Sequence, residues 1–268
     1  MIATVFIALG IVIGVVGTLI GAGGGFILMP ALVMMYPRAE PEHLAAMSLA
    51  VVCANAISGT VGYARLRRIH FRGGLMFAAA AIPGAIVGAL LVHWIPRRAF
   101  DAVLGVGLIV MAAWLLMRSA RAADQTTPGG TADSTSARGV SHEQLNLKRG
   151  VGISAGVGVA SSMLGIGGGI IHVPALVHGV GYPVHVAAAT SHFVLALTSA
   201  AGLAVLASRG LLDHDLDRAL MIAGGAVVGA QVGAVLSSRI SGHWIIRLLA
   251  VALLAMGGRV MWGVFHPH

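Results

Sequence analysis

The stretch Gly21-Ala22-Gly23-Gly24-Gly25-Phe26-Ile27-Leu28-Met29-Pro30-Ala31-Leu32 decides how this chain folds, and it is written twice. Its echo, Gly165-Ile166-Gly167-Gly168-Gly169-Ile170-Ile171-His172-Val173-Pro174-Ala175-Leu176, begins 144 residues later, with four glycines, the proline, an alanine and a leucine in register. Each copy interrupts a long uncharged apolar run. Inside hydrocarbon, backbone that leaves helical geometry survives only where protein buries it or where it lines a wet cavity. Glycine breaks at matching places in two halves of a membrane chain point to a transport site.

The runs around the breaks are membrane-length. The chain has 268 residues, is 57% hydrophobic and only 10% charged, with a mean hydropathy of +0.91; a soluble domain carries about 25% charged residues. Lys, Arg, Asp and Glu are all absent from residues 1–37 and again from 150–208. A spanning helix needs about 20 apolar residues, so these runs exceed what a soluble core requires. The chain reads as an all-α integral membrane protein. Its net charge of +8 does not indicate nucleic acid, because the arginines sit in short gaps between apolar runs, as the positive-inside rule expects of cytoplasmic loops. Cys53 is the only cysteine and lies in an apolar run, which excludes an intramolecular disulfide and marks a packing residue. The first residues lack a basic leader, and their apolar run continues to Tyr36, so they read as a membrane segment rather than a signal peptide.

Outward from the breaks, both halves follow one plan. The first run divides into an arm of about 19 residues, a glycine turn and a shorter arm of about 11, against the ~20 needed per crossing. Pro30 is expected in the first turn of the second arm, where proline is tolerated. Helices are predicted over residues 44–64, 73–93 and 99–117, closing a first transmembrane repeat at 1–117. Residues 118–149 are polar and turn-rich and read as a flexible cytoplasmic linker. The second repeat, 150–268, contains a broken run and helices near 186–208, 219–238 and 243–264. Ser48 matches Ser191, Asn55 matches Thr198 and Gly59 matches Gly202, all at an offset of 143. Gly84/Gly88 and their counterparts Gly225/Gly229 lie four apart on one helix face, where they permit close helix approach.

Loop charge sets the topology. Residues 65–72 carry four arginines and no acid, which places them inside; residues 209–218 carry Asp213, Asp215 and Asp217 against two arginines, which places them outside. Equivalent loops on opposite sides make the repeats inverted, each a glycine-broken hairpin plus three transmembrane helices, about eight membrane segments in all. Both termini then lie outside, while Arg97 and Arg98 fall against the rule.

A half-helix that starts within the membrane aims unpaired N–H groups and a positive dipole end at the break. Two such starts, at Gly21, Gly23, Gly24 and Gly25 and at Gly165, Gly167, Gly168 and Gly169, would make an electropositive pocket without burying an arginine, suited to a small oxyanion. The competing reading is that the glycines only permit tight packing. Polar candidates beside the breaks are Ser48, Asn55, Ser58, Ser162, Thr190, Ser191, His192 and Thr198, although serine and threonine in membrane helices are commonly interhelical glue. His172 and His192 are titratable and deep in the apolar runs, which makes them candidates for proton coupling or structural histidines. A G-x-x-x-x-G-K-[ST] loop and an H-E-x-x-H motif are both missing from the sequence. ATP hydrolysis by the P-loop route and zinc-protease chemistry are thereby excluded. No enzyme activity, cofactor or metal site is expected.

The paired G-x-G-G-G…P-A-L pattern, the Ala-Thr-Ser at 189–191 and the internal duplication together resemble the TauE/SafE family of sulfite exporters and membrane transporters. The first half departs from the Thr-Ser pair, with Met47-Ser48 in its place. The resemblance covers nearly the whole chain apart from the linker. It implies about eight membrane segments, a bacterial inner-membrane location and transport of sulfite, sulfonates or related organosulfur anions. The expected function is a secondary transporter exporting such an anion by alternating access, with Ser48, Asn55, Ser191 and His192 lining a midplane site. An anion channel and a non-transporting membrane assembly factor are the alternatives. The expected partners are the lipid bilayer and the anion; homo-oligomerisation is left open.

Overall fold

The computed structural model describes residues 2–124, 147–212, 215–240 and 242–265, and every regular element among them is helical. The first half runs α1 (Ile2–Ile20), α2 (Gly25–Met35), α3 (Pro41–Arg65), α4 (Phe71–Leu91) and α5 (Arg97–Asp124). The second runs α6 (Leu147–Met163), α7 (Gly169–Ala175), α8 (Val184–Ser208), α9 (Leu216–Leu236) and α10 (Gly242–Phe265). Seven of these helices are long and apolar enough to cross a membrane, and α2, α6 and α7 are shorter. The expectation of about eight segments thus meets seven full-length candidates, with α6 the counterpart of α1 by position. Helix also claims both margins of the expected linker, up to Asp124 and from Leu147. The rest of that linker lies outside the described residues.

The centre of the molecule is the pair α3 and α8. Their apolar windows are 72% and 61% buried, against 28–44% for the other five long helices. They cross antiparallel: Gly59 abuts His192, Val52 packs with Leu195, and Leu49 reaches Gly202. Around them the halves exchange partners. Helix α1 lies along α9, α6 lies along α4, and α5 pairs with α10. Glycine makes the α1–α9 and α4–α6 seams possible. A Cβ on Gly225 or Gly229 would enter the α1 backbone at Ile7 and Ile11, and one on Gly84 or Gly88 would enter α6 at Ala155 and Val159. The glycine pairs singled out in the sequence therefore serve close helix approach, as small residues do where lipid supplies no hydrophobic drive. On the periphery, Val12, Leu75, Val87, Val110, Leu220 and Val251 stand exposed along the long helices, an outer surface suited to acyl chains rather than water.

The connections gather at two ends. At one end, Glu42 accepts from Arg209 Nη1 at 2.9 Å and pairs with His93 at 3.1 Å, while His43 meets Asp215 at 2.9 Å. Arg97, anomalous under the positive-inside rule, belongs to this end for a local reason. Its guanidinium pairs with Asp101 and donates to the carbonyls of Val33, Tyr36 and Ala39, the last turn of α2 and the loop beyond it. It covers carbonyls that helix geometry leaves unpaired and sits at the negative end of the α2 dipole. At the opposite end, the Tyr182 hydroxyl meets His70 Nδ1 at 2.7 Å, and His70 N–H donates to Thr190 Oγ1.

Candidate functional site

Both breaks have the same backbone. The residue after α1 turns at Gly21 (φ 80°), and Gly23 and Gly24 follow at 74° and 78°; Gly165, Gly167 and Gly168 repeat this at 62°, 78° and 74°. Two consecutive left-handed residues before a helix demand glycine, because an L side chain there costs roughly 1–2 kcal/mol per residue. The hydrogen bonds repeat too. Ala22 and Gly23 N–H both donate to Gly17 O, as Ile166 and Gly167 N–H both donate to Ser161 O. The reversal is abrupt, so α2 begins at Gly25 itself, and Pro30 stands inside the helix rather than in its first turn. Pro174 is likewise internal to α7, which passes into a wider π-type turn over Leu176–Val180.

The two breaks touch. A Cβ on Gly25 would lie 2.5 Å from Ile166 O, and one on Gly169 would meet the Ala22 backbone. Two helix starts thus stand against each other at the α3–α8 crossing. Their first amides precede any intrahelical carbonyl acceptor. Val52 and Leu195 flank the contact, each packed beside both Gly23 and Gly167. In this conformation the junction is close-packed.

The polar candidates divide between the breaks. Ser48 Oγ donates to Gly165 O at 2.6 Å and steadies the second break. Asn55 Nδ2 donates to Gly23 O at 2.9 Å and steadies the first, while its Oδ1 accepts from Thr18 Oγ1 at 3.1 Å. His192 Nε2 lies 3.2 Å from the same Thr18 hydroxyl, and Tyr63 donates to Thr18 O. Ser191 Oγ, His192 Nδ1 and Ser162 Oγ are buried with no hydrogen-bond partner among the described residues. The remaining candidates face elsewhere. Thr198 bonds back to Val194 O in its own helix, Ser58 donates to Val227 O and Thr190 serves His70. His172 pairs with Ser154 Oγ at 2.9 Å on α6. The two histidines named for proton coupling therefore belong to separate hydrogen-bonded groups.

Thr18, Tyr63 and Gln231 were not legible as site-associated residues. Thr18 is one of two threonines, with Thr4, in an otherwise apolar helix, and its match to Ser162 at the 144-residue offset was the available signal. Gln231 donates to both Ser58 O and Ser58 Oγ, joining α9 to α3.

A cavity of about 360 Å³ opens away from the junction, between α5, α6 and α7, with Trp114, Ile153, Ile171 and His178 among its walls. Its place reflects broken symmetry: α10 packs along α2, but α5 barely reaches α7.

Residues 6–260 match the family model described as sulfite exporter TauE/SafE. The chain is 26% identical to the probable membrane transporter protein YunE of Bacillus subtilis, over 97% of this chain and 98% of that protein. It is 25% identical to a probable membrane transporter protein of Xylella fastidiosa, over 91% of this chain and 89% of the relative. With the probable membrane transporter protein MJ0441 of Methanocaldococcus jannaschii it shares 27% identity, over 74% and 69% respectively. No solved structure matches.

Proposed function

The chain belongs to the TauE/SafE family and is a multi-pass membrane transporter, not an enzyme, and from that premise we propose that its cargo is a small sulfur oxyanion or organosulfonate, exported across a bacterial inner membrane. The observation that carries the reading is the contact between the two helix starts, Gly25 against Ile166 and Gly169 against Ala22, with buried unpartnered polar atoms at Ser191 and His192 nearby. Paired N-termini supply fixed donors and positive potential, which stabilise an anion without a buried counter-charge.

Alternating access accounts for the closed junction. The antiparallel crossing of equivalent helices α3 and α8 supports repeats related by an axis perpendicular to both, which is the inverted arrangement. Rocking one half against the other would part Val52 from Leu195 and open the junction first to one end, then to the other. By the positive-inside rule the arginine-rich loop at residues 65–72 supports a cytoplasmic His70–Tyr182 end, with the Glu42–Arg209 end outside.

The test is a thermal-shift screen of the purified protein with sulfite, sulfate, thiosulfate, sulfoacetate and taurine, followed by flux in proteoliposomes. A sulfur anion should stabilise the protein and move against its own gradient when a driving ion gradient is imposed. Strictly downhill flux would make the protein a channel, and no anion-dependent shift with any of the five would remove the transport reading.

A further inference from the structure

The hollow of about 360 Å³ between α5, α6 and α7 has the chemistry of a lipid site. Its walls are apolar: Val110 and Met111 from α5, Ile153 from α6, and Ile171 and Pro174 from the second short arm. It opens toward the periphery, where Val110, Met117 and Ile153 already stand exposed. The first short arm has α10 along its side; at the matching place the second has this space, because α5 stands off from α7. Water finds few partners in such a hollow, and the solvent around the outer helices is the acyl chain.

Depth and charge say which lipid fits. The widened turn over Leu176–Val180 leads directly to Tyr182, so the hollow lies toward the His70–Tyr182 end. By helical rise, Trp114 is about 25 Å and Arg118 about 32 Å along α5 from Arg97, on either side of the depth where a hydrocarbon core of ~30 Å ends. Trp114 meets His178 edge-on there, with ring centroids 5.5 Å apart, at the level tryptophan favours in membrane proteins. Positions 118 and 121 follow Trp114 on the same face of α5, and Arg149 is four residues before Ile153 on one face of α6. Lys148 lies beside it in the first turn of α6, and Asp124 is the one acid in these helix turns. Four cations therefore gather at the mouth of an apolar hollow, the complement of a phosphate head group joined to an acyl chain. A second copy of the chain seated here by two-fold symmetry would instead set the same cations against one another.

We propose that the hollow between α5, α6 and α7 binds one anionic phospholipid, with an acyl chain against Trp114 and Ile171 and the phosphate at the helix turns that carry Arg118, Arg121, Lys148 and Arg149. The lipid takes the place beside the second arm that α10 holds beside the first. The site is separate from the glycine junction, and it stands whichever solute the protein carries.

The experiment uses the full chain carrying Trp94→Phe, Trp244→Phe and Trp262→Phe, which leaves Trp114 as its tryptophan, in phosphatidylcholine vesicles. Phosphatidylglycerol with brominated acyl chains, added at low mole fraction, should quench Trp114 with an apparent affinity about ten-fold or more above that of brominated phosphatidylcholine. Each of Arg118→Gln, Arg121→Gln and Arg149→Gln should lower that preference about five-fold, which is ~1 kcal/mol per basic residue near the surface. Arg72→Gln, exposed on α4, should leave it unchanged. Ala175→Leu, on the wall of the hollow, should displace the brominated chain and restore fluorescence with every charge intact. Equal quenching by the two lipids overturns the proposal, as does a loss with Arg72→Gln as large as with Arg149→Gln, or quenching that Ala175→Leu does not relieve. Trp114 shielded from both lipids in a dimeric protein assigns the face to a second copy and overturns it too. If the single-tryptophan protein does not fold, native mass spectrometry of the wild type decides: retention of one phosphatidylglycerol in preference to phosphatidylcholine supports the site, and equal retention overturns it.

Discussion

Placing one methyl group at the junction tests whether the two breaks meet. Gly25 and Gly169 have ordinary backbone conformations, unlike the left-handed glycines that precede them, so alanine brings no torsional penalty at either position. What it brings is a collision. The new Cβ at Gly25 would sit 2.5 Å from Ile166 O and that at Gly169 2.7 Å from Ala22 C, where carbon contacts are optimal at roughly 3.5–4.0 Å. The obstacle in each case is backbone, which cannot rotate away, so the breaks must separate by roughly 1 Å. Overpacking of this kind costs about 1–3 kcal/mol. Alanine also gains up to about 1 kcal/mol over glycine from helix propensity, so controls that share the gain and lack the collision are needed. Gly152→Ala on α6 and Gly258→Ala on α10 meet nothing within 4 Å. Reversible unfolding in mixed micelles should leave Gly25→Ala and Gly169→Ala about 1–3 kcal/mol less stable than those controls, with weaker anion-induced stabilisation. If all four variants behave alike, the helix starts do not touch, and the junction cannot be the site.

Arg97→Lys should be nearly as damaging to thermal stability as Arg97→Ala, by about 1–3 kcal/mol, because an ammonium cannot reach Val33, Tyr36 and Ala39 carbonyls together while pairing with Asp101; full rescue by lysine would show that only charge matters. Burial raises the Tyr182 phenol above its ordinary value, so the folded state holds its proton more tightly than the unfolded chain does. Its contribution to stability is fully present below the unfolded value of about 10 and is lost as pH climbs through the folded one; a Tyr182→Phe variant should show a flatter decline in alkaline unfolding profiles than wild type.

The fold was legible because its signals are one-dimensional. Uncharged runs of membrane length and glycines at a repeating offset need no knowledge of which helix touches which. Helix boundaries followed closely, with the prediction over 186–208 realised as Val184–Ser208 and that over 44–64 as Pro41–Arg65. The placement of Pro30 failed because the two left-handed glycines start α2 earlier than a proline-based estimate allows. The site was legible in its backbone but not in its side chains. Asn55 and Thr198 occupy equivalent positions, yet Asn55 is long enough to cross to Gly23, whereas Thr198 reaches only its own helix. Arg97, which falls against the positive-inside rule in the expected orientation, has local carbonyl partners that a loop-charge count does not consider.

The gap beside α7 gives the two short arms different mechanical characters. One arm, α2, is clasped by α10 along its side and by the Arg97 guanidinium at its tip. The other, with a proline at the same place, ends in a widened turn and borders open volume where its twin has a neighbour. On the proposed alternating-access reading, the clasped arm would serve as the fixed jaw and the less supported arm as the moving one. If acyl chains enter that void, the cost of displacing them would oppose movement of this arm, and bilayer thickness and fluidity would then affect it more than its anchored counterpart.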